Sequence, residues 1–143
     1  MSKRNFRLIP YLTFGGNCEE ALLFYKDAID GEIEIVNRYD NPAMNAPASY
    51  HNKILHARLL VGGEIVLYAS DTFPGKPVNG HSGDISLSIV LTGDVEKAKG
   101  VYQALAEGGK AGMPFAKQFW GDWHGGLKDR YGFNWNVNLE EAG

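Results

Sequence analysis

The sequence predicts an α+β fold built from two β-α-β-β-β units, and three observations carry that expectation. The first is an internal repeat. Displaced by 77 positions, FGGNCEEALLFYKDAIDG at Phe14–Gly31 overlays LTGDVEKAKGVYQALAEG at Leu91–Gly108, matching Gly16 with Gly93, Glu19 with Glu96, Ala21 with Ala98, Tyr25 with Tyr102 and Gly31 with Gly108. The second is position: each copy follows an apolar, strand-like run (6–14 and 85–91) and precedes further strand-like segments. The third is composition. In 143 residues, 18 glycines and a 12% aromatic share suit a turn-rich sheet protein with a lined cavity, and the length suits one domain, 1–143, whose halves share a core.

Taken in order, 6–14 reads as the first strand, in which Pro10 removes a ladder donor and implies an edge or a bulge. Gly15 and Gly16 break it. Asn17 is placed as an N-cap with Glu20 three residues on, as in a capping box, and the stripe Ala21, Phe24, Tyr25, Ala28 and Ile29 predicts a helix over 17–29. Ile33, Ile35 and Tyr39 alternate with polar neighbours in a half-buried strand over 32–39. The stretch 41–52 holds Pro42 and Pro47 without periodicity and reads as a long loop of the kind that borders sites. Strands over 53–61 and 64–70 flank Gly62-Gly63, a tight hairpin turn. Residues 71–83, with Pro74, Pro77 and several glycines, form the expected linker between modules 5–70 and 84–140.

The second unit repeats the plan. A strand over 84–91 precedes Asp94, the cap of a helix whose stripe Val95, Ala98, Val101, Tyr102 and Leu105 stops at Gly108-Gly109. A weaker strand over 110–118 contains Pro114, followed by an aromatic turn over 119–126, a short strand over 127–130 and a turn at Tyr131-Gly132. The closing strand, 133–139, alternates strictly: Phe133, Trp135, Val137 and Leu139 share one face, Asn134, Asn136 and Asn138 the other.

Composition excludes several function classes. A formal charge of -3 without any basic stripe argues against a nucleic-acid partner. The start, MSKRNFRLIP, has no apolar h-region and no run approaches a membrane span, so no membrane partner is expected and the expected compartment is the cytoplasm. The single Cys18 forms no internal disulfide, which agrees with a reducing compartment. Its place in the first helical turn lowers a thiol pKa, but no His or Asp stands nearby in sequence to make it a nucleophile.

Three segments in order, PYLTFGGNCEEALLFYKDAIDGE at 10–32, HARLLVGGEIVLYASD at 56–71 and FWGDWHGGLKDRYGFNW at 119–135, resemble the vicinal oxygen chelate superfamily, the glyoxalase, bleomycin-resistance and extradiol dioxygenase group, and within it the PhnB-like branch. The resemblance covers nearly the whole chain. It implies paired βαβββ modules forming a cupped mixed sheet with helices outside and the site inside, and a two-fold homodimer. Metal-dependent members of the group place a His or Glu ligand on the first and last strands of each module. Carried over one at a time, those places fall at Tyr11 (or Pro10), Leu67 (or Tyr68), Ser88 and Asn136, none a good ligand for a divalent transition metal. The resemblance with this departure implies a protein that binds a small polar or anionic molecule, with no metal and no cofactor and with no catalytic residue assigned. The alternative is a metal-dependent lyase, isomerase or dioxygenase with its metal at non-family positions.

The candidate residues follow from strand parity. His51, His56, His81 and His124 lie in four segments, with neither an i, i+4 pair nor a His-x-His, so they do not form a metal motif. His56 and Arg58 share one face of their strand and offer a proton-transfer group and an anion clamp, or else pair with acids on a neighbouring strand. Trp120 and Trp123 form either the mouth of a site or a core or dimer plug. The asparagine ladder is a hydrogen-bonding wall or a solvated edge. Asp129 resembles the acidic residue that opens the group's terminal hairpin, which implies turn formation rather than catalysis. Parity groups these residues and the resemblance implies which face turns into the cup, so the expected site is lined by Tyr11, Thr13, His56, Arg58, Ser88 and Asn136, with Trp120 and Trp123 at its mouth.

Overall fold

A computed structural model describes residues 6–78 and 84–140, divided into two compact units at Val78. His81 and part of the expected linker, 79–83, lie outside the described residues. Unit one runs β1 (Tyr11–Phe14), α1 (Cys18–Ile29), β2 (Glu32–Arg38), β3 (Ile54–Val61) and β4 (Glu64–Asp71), its strands ordered β1-β4-β3-β2. Unit two runs β5 (Ser86–Thr92), α2 (Val95–Ala106), β6 (Lys110–Lys117), β7 (Trp123–Lys128) and β8 (Asn134–Glu140), ordered β5-β8-β7-β6. In both sheets the first strand lies parallel to the last and the remaining pairs are antiparallel. The two helices begin and end at residues related by the displacement of the sequence repeat, so each unit is the predicted βαβββ module.

Each helix covers one face of its own sheet. Cys18, Ala21, Leu22 and Tyr25 of α1 are buried, as are Leu12, Phe14, Ala57, Leu59, Leu67 and Ala69 on the strands. Ala98, Val101, Tyr102 and Leu105 of α2 are buried with Leu127, Trp135, Val137 and Leu139. Full burial of a Leu or Ile such as Leu22 or Ile54 stabilises by about 1.5–3 kcal/mol. On α1 the buried stripe is 18-21-22-25, one residue-row away from the predicted one, so Phe24, Ala28 and Ile29 are only half-buried.

Several element boundaries differ from expectation for physical reasons. β1 starts at Tyr11, not Phe6, because Pro10 has no N–H; its carbonyl still accepts from Tyr68 N at 2.9 Å. Asn17 precedes α1 but its side chain makes no capping bond. The Asp71 carboxylate takes that role from β4, accepting from Gly16 N at 2.8 Å and Cys18 N at 2.9 Å, and the strand therefore extends through the first residue assigned to the linker. Asp94, by contrast, caps α2 as predicted, accepting from Lys97 N at 3.0 Å. The 41–52 loop carries two short 3-10 turns, Pro42–Met44 and Ala48–Tyr50. β7 occupies much of the predicted aromatic turn, because Gly125 and Gly126 are mid-strand rather than turn residues. A Cβ on Gly125 would stand 2.8 Å from both Phe115 Cα and Tyr102 Cε1, so only glycine allows the backbones this approach.

Candidate functional site

Strand alternation leaves the opposite face of each sheet free of its own helix. On sheet one, Tyr11 stands across from Tyr68 and Thr13 across from Ser70 on β4; Arg58 lies between Tyr68 and Glu34, and His56 is the partner of Asn37. Tyr11, His56 and Tyr68 form a ring cluster, with centroid separations of 5.8 Å (Tyr11–His56), 6.1 Å (Tyr11–Tyr68) and 5.1 Å (His56–Tyr68). The Tyr11 hydroxyl lies 3.4 Å from His56 Nδ1. Burial, and secondarily the charge of Arg58, push the His56 pKa below the ordinary histidine value, so the neutral ring is favoured.

Arg58 Nη1 donates to Glu34 Oε1 at 2.8 Å, the neighbouring-strand ion pair that was the alternative to an anion clamp. Both side chains are more than a third exposed, so the pair adds at most about 1 kcal/mol of stability. It also leaves the guanidinium incompletely used: Arg58 Nε is buried and has no hydrogen-bond partner. A buried guanidinium N–H of this kind is a donor waiting for a water or a ligand.

On sheet two, three cross-strand rows cross the open face. Ser86, Asn134, Lys128 and Lys110 make the first; Ser88, Asn136, Gly126 and Met113 the second; Val90, Asn138, His124 and Ala116 the third. Asn136 Nδ2 donates to Ser86 Oγ at 2.8 Å, and His124 Nδ1 lies 2.7 Å from Asn138 Oδ1. The asparagines are thus half-buried and braced rather than a solvated edge. Over Gly126 and Gly112, the first row and Asn136 of the second border an open hollow of about 300 Å³.

Of the eight expected lining residues, Tyr11, Thr13, His56 and Arg58 share the open face of sheet one, and Ser88 and Asn136 are direct partners on the open face of sheet two. Trp123 departs from the expected site mouth. It is the partner of Leu139, on the face under α2, stacked on Phe115 at 5.6 Å with Lys99 Nζ 5.3 Å from its ring, because β7 begins at Trp123 and so sets it in parity with Gly125 and Leu127. Trp120 lies outside β7, exposed, edge-on to Phe119 at 4.9 Å. Sequence reasoning weighed Tyr68 only as an alternative metal-ligand place and did not name Glu34, Lys110, Lys128 or Ser86, whose cross-strand partners are set by register between segments far apart in the chain.

At the places the resemblance implies for metal ligands, the register sets Tyr11 across from Tyr68 and Ser88 across from Asn136. Leu67 is buried on the helix side. Two phenols, a hydroxyl and a carboxamide do not fit a divalent transition metal, which is held by imidazole, thiolate or carboxylate donors. Among the described residues no three His, Cys, Asp or Glu side chains gather elsewhere as a metal cluster. Cys18 is fully buried, and burial, with Asp71 and Glu19 adding to it, raises its thiol pKa far above the ordinary range, overriding the helix-dipole effect expected at that place. Asp129 is buried too; it accepts from Tyr131 N, Phe133 N and Trp135 Nε1 at 2.8–3.0 Å and so organises the terminal hairpin.

Solved structures with this architecture are similar to the chain over nearly its full length. Protein PA1353 from Pseudomonas aeruginosa is 37% identical, covers 96% of this chain and 100% of its own, and superposes with a TM-score of 0.81. A PhnB protein from Bacillus cereus is 26% identical over 94% of this chain and 100% of its own, with a TM-score of 0.76. A glyoxalase/bleomycin resistance protein/dioxygenase domain from Frankia sp. EAN1pec shares the fold at 15% identity, over 99% of this chain and 96% of its own, with a TM-score of 0.67. No helix among the described residues is long and apolar enough to cross a membrane. The family model described as 3-demethylubiquinone-9 3-methyltransferase matches residues 6–138, and the chain belongs to that PhnB-like family of the glyoxalase/bleomycin resistance fold.

Proposed function

We propose that this chain binds a small polar or anionic molecule on the helix-free faces of its sheets, without a transition metal. Family membership supplies the fold, and activity has to be argued from the site. The observation that carries the reading is the Tyr11, His56 and Tyr68 ring cluster beside Arg58, whose buried Nε has no hydrogen-bond partner. Rings bury a flat apolar area at small entropic cost, and the guanidinium supplies a directional donor for a carboxylate or a carbonyl. Glu34 tempers this charge, so the ligand's anionic group competes with an exposed carboxylate rather than entering an empty cation site.

A thermal-shift screen of small organic acids tests the proposal. A hit whose stabilisation is lost in Arg58→Met and reduced in Tyr11→Ala, while both apo variants melt within a few degrees of the parent, supports it. A hit that survives both substitutions overturns it. Elemental analysis of the purified protein separates the metal-dependent alternative: a stoichiometric transition metal lost on His56→Ala would favour that reading.

We further propose a two-fold homodimer in the cytoplasm. Within its own sheet each unit ends on edge strands, β1 and β2 in one, β5 and β6 in the other, and such edges are commonly covered by a partner. Light scattering at micromolar concentration giving a monomer would refute the dimer.

A further inference from the structure

We propose that the hollow on the open face of sheet two is an oxyanion site, taking a small molecule that carries a doubly charged oxyanion such as a phosphate group. Lys110 and Lys128 are direct cross-strand partners on β6 and β7. Like charges placed opposite one another on a sheet repel, and an uncompensated pair calls for a counter-charge. Among the described residues neither lysine side chain has an ion-pair or hydrogen-bond partner, although the chain holds 17 acidic residues against 14 basic ones. The counter-charge was available in the composition, and among the described residues it is not placed here.

The surroundings suit the same chemistry. Gly126 and Gly112 leave the floor without side chains, and a Cβ on Gly126 would stand 3.4 Å from Asn136 Oδ1, intruding on the space beside the amide. Asn136, held by its bond to Ser86 Oγ, and Asn134 in the next row present amide groups to the hollow. Lysine ammonium groups act on phosphate as point charges with three donors each, while fixed amides and a hydroxyl set its orientation. The hollow, about 300 Å³ and open to solvent, leaves room for a polar body beside the oxyanion. None of these residues belongs to the Tyr11, His56 and Arg58 cluster. Failure of either site therefore leaves the other standing.

Backbone amide NMR of the full chain, titrated with inorganic phosphate against sodium chloride at matched ionic strength, tests the assignment. Saturable shifts at Lys110, Gly112, Gly126, Lys128 and Asn136 in phosphate alone are expected, with sn-glycerol 3-phosphate binding more tightly than inorganic phosphate. Lys110→Gln and Lys128→Gln should each weaken binding about tenfold, as loss of one charge-assisted contact does. Both side chains are exposed, and the same spectra report whether each variant is folded. Shifts that grow linearly and equally in chloride, or phosphate affinity unchanged in both folded variants, would overturn the proposal.

Discussion

The carboxylate of Asp71, the last residue of β4, accepts the N–H of Cys18 at 2.9 Å and so caps the first turn of α1 from across the sheet. The same side chain, 2% exposed, also takes Gly16 N and, through its other oxygen, Ile54 N, both at 2.8 Å. One residue thus joins β4, α1 and β3. Asp71→Ala strips all three donors at once and should lower the unfolding free energy by on the order of 3 kcal/mol, with Asp71→Asn, which keeps one acceptor, intermediate. Urea unfolding measures both, and a loss under 1 kcal/mol in the alanine variant contradicts this account.

Two glycines make an opposed pair of predictions. Gly125→Ala drives a methyl into Phe115 and Tyr102 and should destabilise by about 1–3 kcal/mol. Gly100 lies inside α2 with nothing within 4 Å of an added Cβ, so Gly100→Ala should stabilise by roughly 1 kcal/mol through helix propensity alone. Thermal melts of the two variants should move in opposite directions from the parent; movement in the same direction would show that one local environment has been misread.

The pH dependence of His56 has a definite sign. Its folded pKa lies below the unfolded value, because burial and then the Arg58 charge disfavour the cation. The unfolded chain therefore binds the proton more readily, and His56 costs stability as pH falls below the ordinary histidine range toward the folded pKa, with no further cost beneath it. Side-chain NMR should show His56 titrating below the ordinary value. Arg58→Met should raise its midpoint, and a midpoint unmoved by that substitution would remove Arg58 as a cause.

Cys18 should be inert in the native state. The thiolate is the reactive form, and burial beside Asp71 and Glu19 suppresses it. Labelling by a chromogenic thiol reagent at pH 8 should wait for unfolding, accelerating with urea in step with the fraction unfolded. Rapid stoichiometric labelling without denaturant would contradict this.

Local periodicity is what made the elements legible in the sequence alone. The spacing of Ala98, Val101, Tyr102 and Leu105 requires a helix wherever it lands, because 3.6 residues per turn brings those side chains to one stripe; the alternation from Asn134 to Leu139 requires a strand for the same kind of reason. The repeat then tied the two helices together, and the chemistry at Tyr11, Ser88 and Asn136 could be judged against metal ligation before any coordinates. Pairing is what the sequence left open. Whether Leu67 or Tyr68 faces out, whether Gly125 turns the chain or lets two backbones touch, and whether Lys110 meets Lys128 are decided by register between segments many residues apart, where a single bulge exchanges the faces of a strand. Trp123 shows the consequence: its type suits either a ligand rim or a core, and only the strand pairing that sets it opposite Leu139, under Lys99, puts it on the covered face.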